Sequence, residues 1–258
     1  MDSKPPVSVF ILSRNEEKKI GPALESVSWA AEVVLIDSSS TDATPEIAAR
    51  HGARVVQVEF TKFGELRQAG IAHTTQPWIF SLDSDERCTP EARDEILRIV
   101  ADPRSADAYL VPRQNYLLGR RIRHGGWYPD YRQPQLFRRG KMSYAADDDV
   151  HEGWEVCGSV GRMASPIVQI PYRTLAEAIG KMNRYTSLGV KKLEREGASS
   201  GYARALLRAK WAFFKSYVLQ LGFLDGGPGL VIAMLRFENS FYKHAKLVER
   251  RLPPAQQP

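Results

Sequence analysis

The sequence predicts an α/β protein: a mainly parallel sheet covered by helices on both faces, followed by a helical C-terminal extension. Three observations lead there. Up to residue 101, short runs rich in β-branched residues alternate with helical patterns, which is how repeated strand-helix crossovers read. Those runs end in polar residues, as strands do where an open parallel sheet binds its ligand. From residue 175 onward the pattern is helical only.

The elements follow in order. Strands are expected at 7–13, 33–37, 54–60 and 78–83, each rich in Val and Ile or in aromatic residues. Helices are expected at 17–29, 44–52, 62–74 and 90–101. The second is the best marked, with Thr44 as cap, Pro45 at the first helical position, Glu46 in the first turn and Gly52 where it should stop. Residues 115–172 are less regular and read as loops and shorter strands that complete the site. This divides the chain into 1–115 and 116–173, two halves of one domain, and 174–258, a helical region.

Composition narrows the class. A chain of 258 residues that is 43% hydrophobic can bury a full core without disulfides or structural zinc. Cys88 and Cys157 have no metal-ligand or redox spacing, and Met1 to Pro6 lack the apolar stretch of a signal peptide, so a cytoplasmic protein is expected. The net charge is +6, and from Ser199 onward nine Lys and Arg face three acids, which leaves 27 of each before that point. The whole excess thus lies in an aromatic-rich C-terminal segment, a composition suited to an anionic surface.

Three strand ends are polar: Ser13-Arg14-Asn15-Glu16, Asp37-Ser38-Ser39-Ser40 and Asp83-Ser84-Asp85-Glu86. No G-x-G-x-x-G follows the first strand and no G-x-x-x-x-G-K-[ST] occurs, which sets aside dinucleotide and P-loop readings. Two carboxylates at i and i+2 past a buried strand repel each other, and a divalent cation offsets that. Mg²⁺ or Mn²⁺, held by Asp83 and Asp85 together with diphosphate oxygens, fits the pattern.

The ordered runs Ser13 to Glu17, Ile36 to Thr44 and Leu82 to Glu86 resemble glycosyltransferase family 2, of the GT-A (nucleotide-diphospho-sugar transferase) Rossmann-like fold. The resemblance implies a nucleotide-sugar donor, a UDP-sugar foremost, contacted by Arg14, Asn15, Glu16, Asp37, Arg67 and Asp83. Relatives carry Lys-Asn where this chain has Arg67-Gln68. It implies that Asp85 is the direct metal ligand and Asp83 a shared one, and that the anomeric centre is inverted by single displacement. Such chemistry needs a general base for the acceptor hydroxyl. The acid-rich stretch 147–152 offers Glu152, in a Val-His-Glu run matching one subgroup, with Asp149 as runner-up. His151 is a candidate metal ligand or base-orienting donor. Asp42 reads as a turn and cap residue for the helix after Thr44.

An acceptor site is expected around Trp127, Asp130, Arg132 and Arg138, whereas Arg120 and Arg121 read as solvated surface. In the C-terminal region a helical wheel puts Arg204, Arg208, Trp211 and Lys215 on one stripe and Leu206, Phe213, Phe214, Tyr217 and Leu221 opposite, with Lys210 interrupting. Residues 217–235 are apolar enough to suggest a span, but Asp225 and Gly226-Gly227-Pro228-Gly229 break it, so peripheral binding is expected. The Trp-Tyr-Pro-Asp, Val-His-Glu and Gly-Phe-Leu-Asp-Gly stretches resemble the lipopolysaccharide inner-core β-1,4-glucosyltransferase subgroup (WaaE/KdtX-like). That implies glucose transfer to heptose of a lipid-anchored anionic glycan, on the cytoplasmic face of the inner membrane of a Gram-negative bacterium, and no nucleic-acid partner. Two rival readings are a polyprenyl-phosphate or other cell-surface polysaccharide glycosyltransferase and a basic nucleic-acid-binding protein.

Overall fold

The computed structural model describes residues 4–144, 153–199 and 201–252. The expected alternation is realised as β1 (Val7–Ser13), α1 (Ile20–Ser26), β2 (Glu32–Asp37), α2 (Thr44–Arg50), β3 (Arg54–Gln57), α3 (Phe63–Ala72), β4 (Trp78–Asp83), β5 (Glu86–Arg87) and α4 (Pro90–Ala101). Short strands follow: β6 (Ala108–Leu110), β7 (Arg113–Leu117), β8 (Arg120–Arg121), β9 (Pro134–Arg138), β10 (Met142–Tyr144), β11 (Trp154–Val156), β12 (Val160–Arg162) and β13 (Ile167–Gln169). The chain then turns helical, as α5 (Leu175–Arg195), α6 (Tyr202–Phe214) and α7 (Gly226–Glu249).

Two compact units result. One runs to Gln114 and includes Asp130–Gln169; the other comprises Asn115–Pro129 and the chain from Ile170. The division at 115/116 and 173/174 expected from sequence therefore cuts differently, because 116–129 belongs with the helices and 130–169 with the sheet.

In the first unit the sheet has seven strands in the order β12-β6-β9-β4-β1-β2-β3. β3, β2, β1 and β4 are parallel, and β9 is antiparallel to both β4 and β6. The register pairs Ser13 with Asp37 and Leu12 with Asp83, so three strands end side by side at one edge of the sheet. Alternation along β1 builds a core on each face. Val7, Val9 and Ile11 join Ile20, Leu24, Ala48 and Ile96 on one side, while Phe10 joins Leu66, Ile71, Ile79 and Phe137 on the other. α3 lies so close that a Cβ on Gly70 would sit 2.5 Å from the Phe10 ring, which requires glycine there. α4 is fixed by its ends: the Thr89 hydroxyl accepts from the Ala92 amide at 3.1 Å, and Pro90 stands in the first turn.

In the second unit α7 packs against α5 and α6. α6 is buried through Ala205 and Ala209, two small side chains that let the helices approach. The expected helix break is present but displaced. A π-helical turn, Lys215–Leu219, and a 3₁₀ turn, Gly222–Asp225, separate the helices, with Leu221 in the left-handed region at φ 57°. Gly226-Gly227-Pro228-Gly229 forms the first turn of α7, where a proline's missing N–H is no loss. Among the described residues no single helix is long and apolar enough to cross a membrane. Tyr202–Leu219 and Gly222–Glu249 meet that test as a pair, bent by 69°.

Candidate active site

The paired strand ends carry the polar residues, and hydrogen bonds between the following loops fix them as one ledge. Asp37 is fully buried; one carboxylate oxygen accepts from the Ser13 hydroxyl at 3.0 Å and the Ser40 hydroxyl at 2.6 Å, the other from the Ser40 amide at 2.9 Å. The Asn15 amide donates to Ser40 Oγ at 2.8 Å, and its side-chain oxygen accepts from the Thr41 amide at 2.8 Å. Asn15 and Ser39 both hold left-handed backbone, at φ 55° and 57°, an arrangement that costs energy and clusters at binding sites. Asp42 accepts from the Thr44 amide at 3.1 Å and the Glu17 amide at 3.2 Å, which is its expected turn role. Burial alone would raise its carboxyl; the hydrogen bonds from Thr44 and Glu17 outweigh that and hold it below the ordinary range. Arg14 and Asn15 stay exposed and Glu16 half-buried, while Asp37 has no accessible surface of its own.

The turn after β4 is organised by Glu86. Its carboxylate is fully buried and accepts from Arg113 Nε at 2.5 Å, Gln135 Nε2 at 2.8 Å and the Asp83 amide at 3.0 Å. One acid thus sets the shape of Asp83-Ser84-Asp85 and neutralises Arg113. Burial pulls the Arg113 guanidinium down, but the charge and hydrogen bond of Glu86, aided by Asp83 and Asp130, more than offset it and hold it above its usual value. Arg87 closes the turn from the other side, donating to the carbonyls of Ser84 at 2.9 Å and Lys19 at 2.8 Å. Burial lowers its guanidinium despite the charges of Asp85, Glu86 and Glu16.

α3 supplies the next contact. Arg67 is buried and donates to Ser81 Oγ and Asp83 Oδ1, each at 3.0 Å, and lies over the Tyr144 ring at 5.8 Å. The adjacent Gln68 accepts from the Tyr144 amide at 3.2 Å. The Arg67-Gln68 pair therefore joins the Asp83 turn to the end of β10, the strand that leads into 145–152. Glu152, Asp149 and His151 lie in that stretch, outside the described residues.

The donor set around Asp85 fits a hard cation. Asp83 and Asp85 offer carboxylate oxygens, and Gln169, fully within the unit on β13, donates to Asp85 Oδ1 at 3.2 Å. The side-chain oxygen of Gln169, beside Asp85, and that of Gln135, beside Glu86, are buried without a hydrogen-bond partner among the described residues, so each is an acceptor to spare. Among the described residues no three His, Cys, Asp or Glu groups converge on one point, so these residues offer Asp83 and Asp85 as the two carboxylates. That is the usual supply for Mg²⁺ or Mn²⁺ completed by diphosphate and water.

The expected acceptor residues fall in both units, Asp130, Arg132 and Arg138 in the first and Trp127 in the second. β9 runs antiparallel, so Arg138 pairs with Trp78 at the amino end of β4, about 16 Å of strand from Asp83. There it donates to Ser105 Oγ at 2.9 Å and covers the Trp78 ring at 4.4 Å. Arg132 and Asp130 form an ion pair at 2.5 Å. Trp127 belongs to the second unit, packed on Leu117, Ile122 and Ile232. Glu86, Arg113, Gln135 and Gln169 were not singled out from sequence. The available signal was polar residues standing inside apolar strand runs, as in Pro134-Gln135-Leu136-Phe137 and Ile167-Val168-Gln169.

Comparison with known proteins identifies the family and the fold. The glycosyl transferase family 2 model matches residues 8–152. The chain is 28% identical to the lipopolysaccharide core biosynthesis glycosyltransferase LpsC of Rhizobium meliloti (strain 1021), over 95% of each chain. It is also 28% identical to an uncharacterized glycosyltransferase of Rickettsia bellii, over 95% of this chain and 87% of that one. S. aureus TarS 1–349, solved in complex with UDP-GlcNAc, superimposes with a TM-score of 0.51 at 16% identity, covering 94% of this chain and 88% of its own, which establishes a shared GT-A-like fold. With the family model spanning more than half of its length, the chain belongs to glycosyl transferase family 2.

Proposed function

We propose that this enzyme is an inverting, metal-dependent hexosyltransferase that moves glucose from a UDP-sugar to a heptose of the lipopolysaccharide inner core, working at the cytoplasmic face of the inner membrane. The observation that carries the reading is the Asp83-Ser84-Asp85 turn, shaped by buried Glu86 beside the ledge formed by the ends of β1 and β2. Likeness to LpsC over nearly the whole chain supports the acceptor class. Asp85 and Asp83 would hold Mg²⁺ or Mn²⁺, with His151 as a further ligand. When bound, the cation offsets the negative charge that develops on the leaving diphosphate. Arg67 restrains Asp83, while Arg14 to Glu16 and the Ser38–Ser40 turn face the nucleoside. Glu152, with Asp149 as its rival, would take the proton of the attacking hydroxyl.

The test is transfer from UDP-glucose to a heptose-terminated core acceptor, with and without Mn²⁺, beside thermal shifts with UDP. Asp85→Asn should lower transfer at least about a hundredfold and abolish the metal-dependent part of the UDP shift. Glu152→Gln should lose transfer while keeping that shift. Full activity in Asp85→Asn sinks the metal role.

A further inference from the structure

We infer that the α6–α7 bend is a membrane-docking tip whose base forms a seat for a lipid headgroup phosphate. The inference rests on the lipid-linked acceptor proposed above and names where and how the protein meets the bilayer.

α6 draws its outward face from both sides of its helical wheel, Trp211 from the basic stripe and Phe214 from the apolar one. Its small residues are the buried ones, and directly opposite them Leu207, Trp211, Phe214 and Val218 form one outward stripe at helical spacing, exposed by 67%, 58%, 43% and 41%. Arg204, Arg208, Lys210 and Lys215, all exposed, flank the stripe. The bend continues it with Leu219, Leu221, Phe223 and Leu224, each at least 46% exposed. Leu221 keeps its side chain outside at the cost of a left-handed backbone. Eight large apolar side chains exposed in one stretch, rimmed by cations and without an acid until buried Asp225, match an anionic bilayer rather than water.

At the base of the bend lies a cleft of about 440 Å³ lined by Arg120, Arg121, Arg123, His124, Leu224 and Asp225. It is a built feature. Asp225 is buried and accepts from the amides of Arg123 and His124, at 3.1 and 2.8 Å, and from the His124 ring at 3.1 Å. The Gly125 amide donates to the Gln220 carbonyl at 2.8 Å. These bonds pin the arginine loop to the tip. Because Asp225 is turned toward that loop, it makes no side-chain cap on α7, and the helix begins uncapped beside the arginines. Arg121 Nε is buried with no hydrogen-bond partner among the described residues. Three guanidinium groups against one carboxylate leave the cleft cationic, and forked donors suit a phosphate. With Leu224 in both cleft and apolar tip, a headgroup phosphate can sit in the cleft while its acyl chains follow the exposed leucines.

Flotation of the full chain with vesicles tests this, using phosphatidylcholine alone and phosphatidylcholine mixed with phosphatidylglycerol. The protein should float with the anionic vesicles and not with the neutral ones. Trp211→Glu and Leu207→Glu, at exposed positions that leave the fold intact, should each cut binding at least about tenfold. Arg120→Gln and Arg123→Gln should each cut it about fivefold. Equal flotation of wild type and Trp211→Glu overturns the proposal. So does stabilisation by inorganic phosphate without flotation, which would make the cleft a site for a soluble phosphate, or a dimer in sedimentation that Trp211→Glu dissolves without any vesicle binding. The UDP thermal shift of the same preparations separates the readings: an intact shift without flotation removes only the docking tip, and flotation without the shift removes only the donor site.

Discussion

Replacing Glu86 by Gln should disable the site without touching any group proposed to contact substrate. All three partners of the Glu86 carboxylate are donors: Arg113 Nε, Gln135 Nε2 and the Asp83 amide. A glutamine presents one oxygen and one NH₂, so at least one donor meets another donor, and the Arg113 guanidinium, 2% exposed, loses its counter-ion. Removing one partner of a buried pair costs about 3–5 kcal/mol, because the surviving charge is stranded in low dielectric. For a chain of this size that is roughly 6–20 °C in Tm. Adding Arg113→Met should recover at least about half of the loss, since neither charge is then uncompensated. Urea unfolding of the two variants measures the energy, and kcat/KM with UDP-glucose should fall at least about tenfold in Glu86→Gln as the Asp83 turn loosens. If Glu86→Gln unfolds within 1 kcal/mol of wild type, on the order of a surface substitution, the hub is not what holds the turn.

Two further outcomes follow from placement. Arg138→Ala should leave the acceptor KM unchanged, because Arg138 stands at the amino end of β4, yet cost about 1–2 kcal/mol of stability through its Trp78 and Ser105 contacts, read by urea unfolding. Glu95 accepts from the amides of Ala164 and Ser165 at 2.9 and 2.7 Å. Burial would raise its carboxyl, but those bonds and the Arg98 charge prevail and hold it below the ordinary range. The stability it contributes is therefore present above the ordinary carboxylate value and lost as pH falls through the lower folded one. Thermal melts across about pH 3–6 should show a shallower acid limb in Glu95→Gln.

The parallel strands, their helices and their polar ends could be read from sequence because each is a local pattern: β-branched runs, a Thr-Pro-Glu cap, an acid pair at a strand end. Non-local order could not. That β9 inserts antiparallel beside β4 depends on pairing across more than fifty residues, and this alone puts Arg138 at the amino end of β4. A wheel drawn for α6 identifies its faces but not which of them packs, since burial followed the small Ala205 and Ala209 rather than the large apolar side chains. Glu86 was visible as a fourth residue of the acidic run, yet its role depends on Arg113 and Gln135, which no spacing rule connects to it.

The charges touching the Asp83 turn bear on how the metal enters. Asp83, Asp85 and Glu86 are three carboxylates within four residues, and Arg67, Arg87 and Arg113 contact the turn as three guanidinium groups. Formally the turn is balanced before any ligand arrives. A divalent cation alone then meets two carboxylates but also Arg67, already bonded to one of them, so it gains little over water. A cation accompanied by a nucleoside diphosphate brings its own anionic oxygens, completes its shell and gives the nearby guanidinium groups a further counter-charge. Mn²⁺ should therefore bind at least about tenfold more tightly in the presence of UDP, and UDP should gain by the same factor from Mn²⁺, because the coupling is reciprocal. Calorimetric titration of Mn²⁺ into the protein with and without UDP measures that factor. Equal affinity in the two titrations would mean that the turn is a metal site in its own right, and that Arg67 does not restrain Asp83 in the way its 3.0 Å contact implies.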